Sequence, residues 1–330
     1  VQLFREGGLT MMSVDDFKMK QTVFVFTRDG EKVAFSNDNL VVRSADDKIR
    51  FQCTCYRIYA LFIVGNITIT SGIIQRSHKF GFPIILMSSS LKTYDYIGHR
   101  TEGNFLLREA QYSYNDIELA KHVVIDKLHN QAETLDLQRG KDNDLRCAIS
   151  TIKGFESDVW TFSGDYKGLM GIEGNAAKVF FRNNFNMGTW AGRKPKIKSD
   201  YINSTLDIGY TILFNVVDTM LNLYGFDTYR GIYHREFYMR KSLTCDLMEP
   251  FRPLIDWQVR KAINLGQCKP EDFNESNGRY LLDISKNKDY IGFLMKPLLD
   301  NKEAMFRYFQ SYYRAFMKGK AAVDFPTFRL

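Results

Sequence analysis

Hydrophobic residues follow a period of two up to about Thr101 and a helical period beyond it, and this switch constrains the fold most. Ile49, Phe51, Cys53 and Cys55 alternate with Arg50, Gln52, Thr54 and Tyr56, the pattern of a strand with one buried face that places both thiols in the core. The runs QTVFVFTRDGEKVAF, NLVVRS, KIRFQCTCYRI, ALFIVGNITIT and FPIILMS follow at short intervals, separated by Asn, Asp, Gly and Ser. Asp29-Gly30 inside the first run predicts a hairpin, because both turn positions favour positive φ. SGIIQRSHKFG reads as a short helical connection. Further on, YNDIELAKHVVIDKLHNQAETL sets Ile117, Ala120, Val124, Leu128 and Leu135 on one helical face. LDIGYTILFNVVDTMLNLYGF does the same with Leu206, Leu213, Val217, Met220, Leu221 and Tyr224, and Gly225 marks its end. PFRPLIDWQVRKAINLG and KEAMFRYFQSYYRAFMKGK are further helices. The expected fold class is α+β, with a small N-terminal β-sandwich-like domain over 20–100 and a larger all-helical domain over 101–330.

Composition narrows the function classes. A chain of 330 residues, 45% hydrophobic and 25% charged, is globular rather than disordered. A net charge of +7 permits nucleic acid or an anionic membrane as partner and demands neither. Five cysteines, with no second Cys or Cys/His pair at zinc-site spacing, argue for core thiols in a reducing, cytoplasmic setting. No run approaches the ~20 apolar residues of a membrane span, and no basic stretch followed by an apolar one opens the chain. Met11-Met12 reads as a start, which leaves the first ten residues outside the domain assignment.

Three positions stand out chemically. GLMGIEGNAAKVFF sets Glu173 between Gly171 and Gly174 ahead of a helix, which leaves the carboxylate unobstructed. His234 follows the turn GFDTYRGIY, and Asp246 and Glu249 are spaced to share a helical face. Asp-x-x-Glu just before Pro250 and Pro253 is equally a capping-box pattern, and taken alone that reading outweighs a metal. GRKPKIKSD carries Arg193, Lys194, Lys196 and Lys198, with Pro195 keeping the segment extended. That run is a solvated face or a phosphate-tracking loop, with Trp190 and Tyr201 placed to stack on bases. Arg235, Arg240, Lys241 and Arg252 bracket the acids as phosphate contacts or as ion pairs. From spacing alone the reading ends at metal-dependent phosphoester chemistry.

Taken in order, these segments resemble the CRISPR-associated adaptation integrase, a metal-dependent DNA endonuclease that inserts new spacers into a CRISPR array. IVGNITITS with GFPIILMS resembles the end of that family's β domain, and REAQY with DKLHNQ resembles the helix opening its catalytic domain. LMGIEGNAAKVFF resembles the motif of its first metal ligand, which falls on Glu173. GRKPKIKSDYINSTLDIGYTILFNVV and GFDTYRGIYHREF with SLTCDLMEPFRP resemble the motifs of the second and third, which fall on His234 and Glu249. The match runs through most of residues 20–260 and has a type V-like character. Lys-Ile-Lys replaces a frequent double proline, and Asp200-Tyr201 replaces Asp-Pro, so the departures touch the substrate loop and spare the ligands.

The resemblance implies Mg²⁺ or Mn²⁺ held by Glu173, His234 and Glu249, with Asp246 as a supporting acid. It implies phosphate contacts from Arg193, Lys194, Lys196, Lys198, Arg235, Arg240, Lys241 and Arg252. It also implies double-stranded DNA as substrate, a homodimer formed through the β domain, and a small ferredoxin-like adaptation partner. The alternative is a non-catalytic nucleic-acid-binding module whose acids are caps and ion pairs.

Overall fold

The computed structural model describes residues 4–5, 8–9, 12–27, 30–66, 71–98, 101, 103–185, 190–234 and 239–330. The chain divides into two compact units, Val1–Gly103 with Asn222–Gly225, and Asn104–Leu221 with Phe226–Leu330.

In the first unit, β1 (Phe4–Arg5) pairs with β2 (Gly8–Leu9), and α1 (Val14–Lys18) follows. Two sheets form the rest. One runs β3 (Gln21–Phe26), β7 (Ile58–Val64), β8 (Pro83–Met87), β9 (Thr93–Gly98), with β3, β7 and β8 parallel and β9 antiparallel. The other is an antiparallel meander of β4 (Lys32–Ser36), β5 (Asn39–Arg43) and β6 (Ile49–Thr54). Every residue of β7 and β8 is buried, as parallel strands require when both faces are covered. Val23, Val25, Leu61, Ile63, Ile84 and Leu86 meet Leu40 and Val42 in one core, a sandwich-like arrangement. The helical connection is α2 (Ser71–Phe80), a crossover between the parallel strands β7 and β8.

Two sequence expectations fail here. Asp29-Gly30 makes no hairpin, since β3 pairs with β7 while β4 pairs with β5, so the chain changes sheets between them. Asp29 itself lies outside the described residues, and Gly30 keeps the positive φ, at 79°. On β6, Ile49 and Phe51 are exposed, and burial begins only at Cys53, which is half-buried, and Cys55. Cys55 has by then left the strand for a 3₁₀ turn (Cys55–Arg57). Burial pushes both thiols up to about 11, which makes them inert core groups.

The second unit is helix-rich. Its helices are α3 (Phe105–Ser113), α4 (Ile117–Asp136), α5 (Asn143–Thr161), α6 (Tyr166–Asn184), α7 (Tyr201–Tyr224), α8 (Ser242–Leu247), α9 (Arg252–Asn264), α10 (Asn287–Asp300) and α11 (Lys302–Met317). Gly225, at φ 84°, stops α7 as expected. A hairpin of β10 (Phe273–Ser276) and β11 (Arg279–Leu282) interrupts the helices. Its turn is Asn277-Gly278, with both residues at positive φ.

Helix α4 packs against α5, α6, α9 and the 3₁₀ turn Glu249–Phe251. Because it is covered nearly all round, Lys121, Asp126, Lys127, Asn130, Gln131 and Thr134 are buried along with Leu119, Val124, Leu128 and Leu135. Each polar group then needs an internal partner. Asp126 accepts from the Phe328 N–H (3.1 Å) and pairs with Arg329 (2.7 Å). Asn130 donates to the carbonyls of Pro250 (2.8 Å) and Phe328 (2.9 Å). A polar stripe on one helix thus ties the turn after Glu249 to the segment around Phe328.

Candidate active site

Asp165 caps α6, and Glu173 sits two turns into that helix rather than ahead of it. A Cβ added at Gly171 or Gly174 would meet nothing within 4 Å, so the glycines leave open space beside the carboxylate. Lys127 on α4, buried to 8% side-chain exposure, forms an ion pair with Glu173 and lies 2.7 Å from Glu249 Oε2. Arg252 adds a contact to Glu249 Oε1 at 3.2 Å. Burial alone would raise the Glu249 pKa, but Arg252, Lys127 and His234 outweigh it and hold the carboxyl below its ordinary value. Burial would likewise lower that of Lys127, and Glu173 and Glu249 reverse the sign. Lys127 and Glu249 are therefore both charged at neutral pH.

Asp246 does not cap a helix, so the capping-box alternative does not apply to it. It lies near the end of α8, completely buried, and accepts from the backbone N–H groups of Ile232 (2.7 Å), Tyr233 (2.8 Å) and His234 (3.1 Å). Its Oδ1 also lies 2.6 Å from His234 Nδ1. An imidazole held through Nδ1 presents Nε2 outward, as a carboxylate-backed metal ligand does. Gly231 makes this turn feasible, because a Cβ there would lie 2.5 Å from the His234 carbonyl and 2.9 Å from Asp246 Oδ2. Tyr233 is buried beside these groups, its ring centroid 4.6 Å from that of His234. Burial first, then Glu173, Glu249 and Asp246, push its phenol well above its ordinary pKa. Among the described residues its hydroxyl has no hydrogen-bond partner.

The cationic residues divide into two groups. Arg193 is bound inward, to Asp207 (2.6 Å) and Asn203 Oδ1 (3.0 Å), with its guanidinium 5.3 Å from the Tyr210 ring. Arg252 lies 4.9 Å from the same ring. Lys241 pairs with buried Asp218 at 2.7 Å, and Arg240 donates to Cys245 Sγ. Lys194 and Lys196 are exposed, and Lys198 is half-buried. The segment is a turn, not an extended run, with Lys196 and Lys198 at φ 66° and 59°. Asn203 and Asp207 on α7 gather the backbone N–H groups of Lys194 and Lys196 and impose that turn. Trp190 packs on Phe181 and Phe185 and donates to Asp200, and Tyr201 packs on Phe273, so both rings belong to the protein's own packing. Arg235 lies outside the described residues.

Among the described residues no three His, Cys, Asp or Glu side chains form a ready-made metal cage. The donor set nonetheless suits a hard divalent cation, with two carboxylates and an imidazole oriented by a buried acid. Glu249 Oε2 is buried and lies 2.7 Å from the Lys127 ammonium, so one cation already stands against both carboxylates. Nothing in the pattern around Tyr233 marks it as part of the site, and the signal for Lys127 is the polar series Asp126, Lys127, Asn130 and Gln131 within an otherwise apolar helical stretch.

A helical unit that sets two acids on one buried lysine, with an imidazole backed by a buried acid, defines a candidate metal-dependent enzyme site. The chain belongs to the CRISPR associated protein Cas1 family, whose model matches residues 24–295. It is 27% identical to the CRISPR-associated endonuclease Cas1 1 of Thermodesulfovibrio yellowstonii, over 69% of this chain and 76% of that protein. Its fold is similar to a Cas1 protein from Thermotoga maritima, with a TM-score of 0.79 at 14% identity, over 91% of this chain and 98% of that one. It is also similar in fold to a chain of a Cas6-RT-Cas1–Cas2 complex, with a TM-score of 0.79 at 23% identity, over 94% of this chain and 36% of that longer one. No helix among the described residues is long and apolar enough to cross a membrane.

Proposed function

We propose that this chain is a divalent-metal-dependent DNA endonuclease and integrase of CRISPR adaptation, joining the 3′-hydroxyl ends of new spacer DNA to the CRISPR repeat. The observation that carries the reading is the convergence of Glu173 and Glu249 on one buried cation, inside the region matched by the family model. Glu173, His234 and Glu249 would hold Mg²⁺ or Mn²⁺, which supplies Lewis-acid stabilisation of the charge that builds on the phosphoryl oxygens. The protein's own groups do the rest. Asp246 keeps His234 in one orientation, and Arg252 keeps Glu249 ionised. Lys194, Lys196, Lys198 and Arg240 would contact the phosphate backbone without reading sequence, giving a steep salt dependence. Arg193 and Lys241 are assigned to shaping the surface from ion-paired positions.

In the proposed step the spacer 3′-oxygen forms a new P–O bond as the repeat's own P–O3′ bond breaks. The attacking hydroxyl gives up a proton and the departing 3′-oxygen gains one. One phosphodiester replaces another, so no external energy source is needed. Hydrolysis is the same displacement with water as nucleophile. For partners, we carry over a homodimer formed through the β-rich unit and a small ferredoxin-like adaptation partner. The named Cas2 component of the complex containing the similar chain supports the latter.

One observation favours the binding-module alternative, namely that Lys127 already neutralises both acids. A strand-transfer assay separates the two readings, using labelled duplex with 3′-hydroxyl ends and a supercoiled plasmid carrying a repeat. Joined product with Mn²⁺ or Mg²⁺ that vanishes with chelator and in Glu173→Ala supports the integrase. DNA binding without joining, even with the small partner added, and unchanged in Glu173→Ala, leaves the binding module.

A further inference from the structure

Lys127 touches both acids assigned to the cation, and nothing above gives it a role beyond balancing charge. It is carried by a helix packed on nearly every side, so the buried backbone, and not a mobile surface stem, sets where its ammonium stands. Two carboxylates this close to one point repel each other unless a cation stands between them. The ammonium also meets Glu249 Oε2 at 2.7 Å, and this contact helps to hold that carboxyl ionised. A lysine suits a place that must be yielded, because it is a compact point charge without the fixed fork that would lock an arginine to both acids.

We propose that Lys127 is the resident counter-cation of this site, holding Glu173 and Glu249 in place before a divalent ion arrives and competing with that ion for the same carboxylate oxygens. This rests on the divalent-cation reading above. Its consequence is that the affinity of the two carboxylates for metal is held down by the protein's own lysine.

The test uses direct Mn²⁺ binding by calorimetry and thermal unfolding, with no activity readout. Lys127→Met should bind Mn²⁺ about tenfold tighter than wild type or better. Its Tm should fall below that of wild type without metal and recover at saturating Mn²⁺. Lys127→Arg should bind as wild type or more weakly. The proposal is overturned if Lys127→Met binds no tighter, if its Tm deficit is the same with and without Mn²⁺, or if Lys127→Arg binds as tightly as Lys127→Met. Absence of Mn²⁺ binding in both wild type and Lys127→Met, or binding that is equal in Glu173→Ala, removes the cation reading and this inference together. Wild-type binding that depends on Glu173 while Lys127→Met is unchanged removes the inference alone. Should Lys127→Met fail to fold, the ammonium nitrogen resonance of Lys127 in wild type, titrated with Mg²⁺, reads the same competition. It should shift with the midpoint of Mg²⁺ binding, and a resonance that stays put while Mg²⁺ binds overturns the proposal.

Discussion

Asp246 and Glu249 lie three residues apart, both buried, and their surroundings are opposite. Asp246 is saturated by three backbone N–H groups and an imidazole, all from one turn of chain. Glu249 faces two side-chain cations, Lys127 at 2.7 Å and Arg252 at 3.2 Å. The first is an acid whose work is finished when the protein folds. The second is held ionised by side-chain cations, with which a metal ion would compete. The same residue chemistry thus takes two roles within one turn, and the kind of partner aimed at each carboxylate separates them.

Substitution should split the pair. Asp246→Ala strands three buried N–H groups and releases His234, and should lower unfolding stability by about 5 kcal/mol in urea titrations. Glu249→Gln leaves Lys127 still paired with Glu173 and keeps an amide oxygen against Arg252, so it should lose less, about 3 kcal/mol, while strand transfer falls by about a hundredfold or more. Equal stability losses in the two variants would erase the distinction.

A third acid sharpens it. Asp256 is buried on α9 and accepts from the Tyr210 hydroxyl, but its Oδ2 has no partner among the described residues. Burial, only partly offset by Tyr210, Arg252 and Arg193, pushes its carboxyl up to about 7. This lies above the unfolded value of 3.8, so the native state keeps the proton after the unfolded chain has lost it. The contribution of Asp256 to stability therefore falls as pH climbs from about 4 to about 7 and is flat above, by at most about 4 kcal/mol in all. Asp256→Asn should gain on wild type across that window and hold a constant lead beyond it. A lead that does not change with pH would mean Asp256 is ionised throughout.

How far the sequence showed these things depends on how local each is. The helical faces of α4 and α7 and the stop at Gly225 were legible because periodicity and capping act within a few residues. Two turn dipeptides show where local chemistry stops deciding. Asn277-Gly278 closes a hairpin inside a helical context, whereas Asp29-Gly30 has the same local chemistry and stands between strands that pair in different sheets. The difference lies in what the flanking strands pair with, and for β3 that partner is β7, across the whole meander. Glu173, His234 and Glu249 stood out by residue type, but the role of Asp246 depends on a turn twelve residues earlier that has no helical register with it. Lys127 was hidden for the same reason, since its partners lie on α6 and in the turn before α9. Pattern shows which side chains are chemically capable, and only packing brings them to one point.

The smallest effect tests whether the space beside Glu173 is there for a substrate. Gly154 in α5 and Gly174 in α6 are both helical, and a Cβ at either would meet nothing within 4 Å. By backbone entropy alone, Ala at each should stabilise the protein by ~0.5–1 kcal/mol. Only Gly174 adjoins an acid of the candidate site, so only there should a new methyl group meet incoming DNA. Gly154→Ala should therefore raise Tm and leave strand transfer unchanged, while Gly174→Ala raises Tm to a similar degree and slows joining several-fold. If both variants join DNA like wild type, the glycine beside Glu173 clears nothing, and the open face of α6 is an ordinary solvated surface. If Gly174→Ala alone slows the reaction while growing more stable, the loss cannot come from unfolding. The gap is then part of the path that the phosphodiester takes to Glu173.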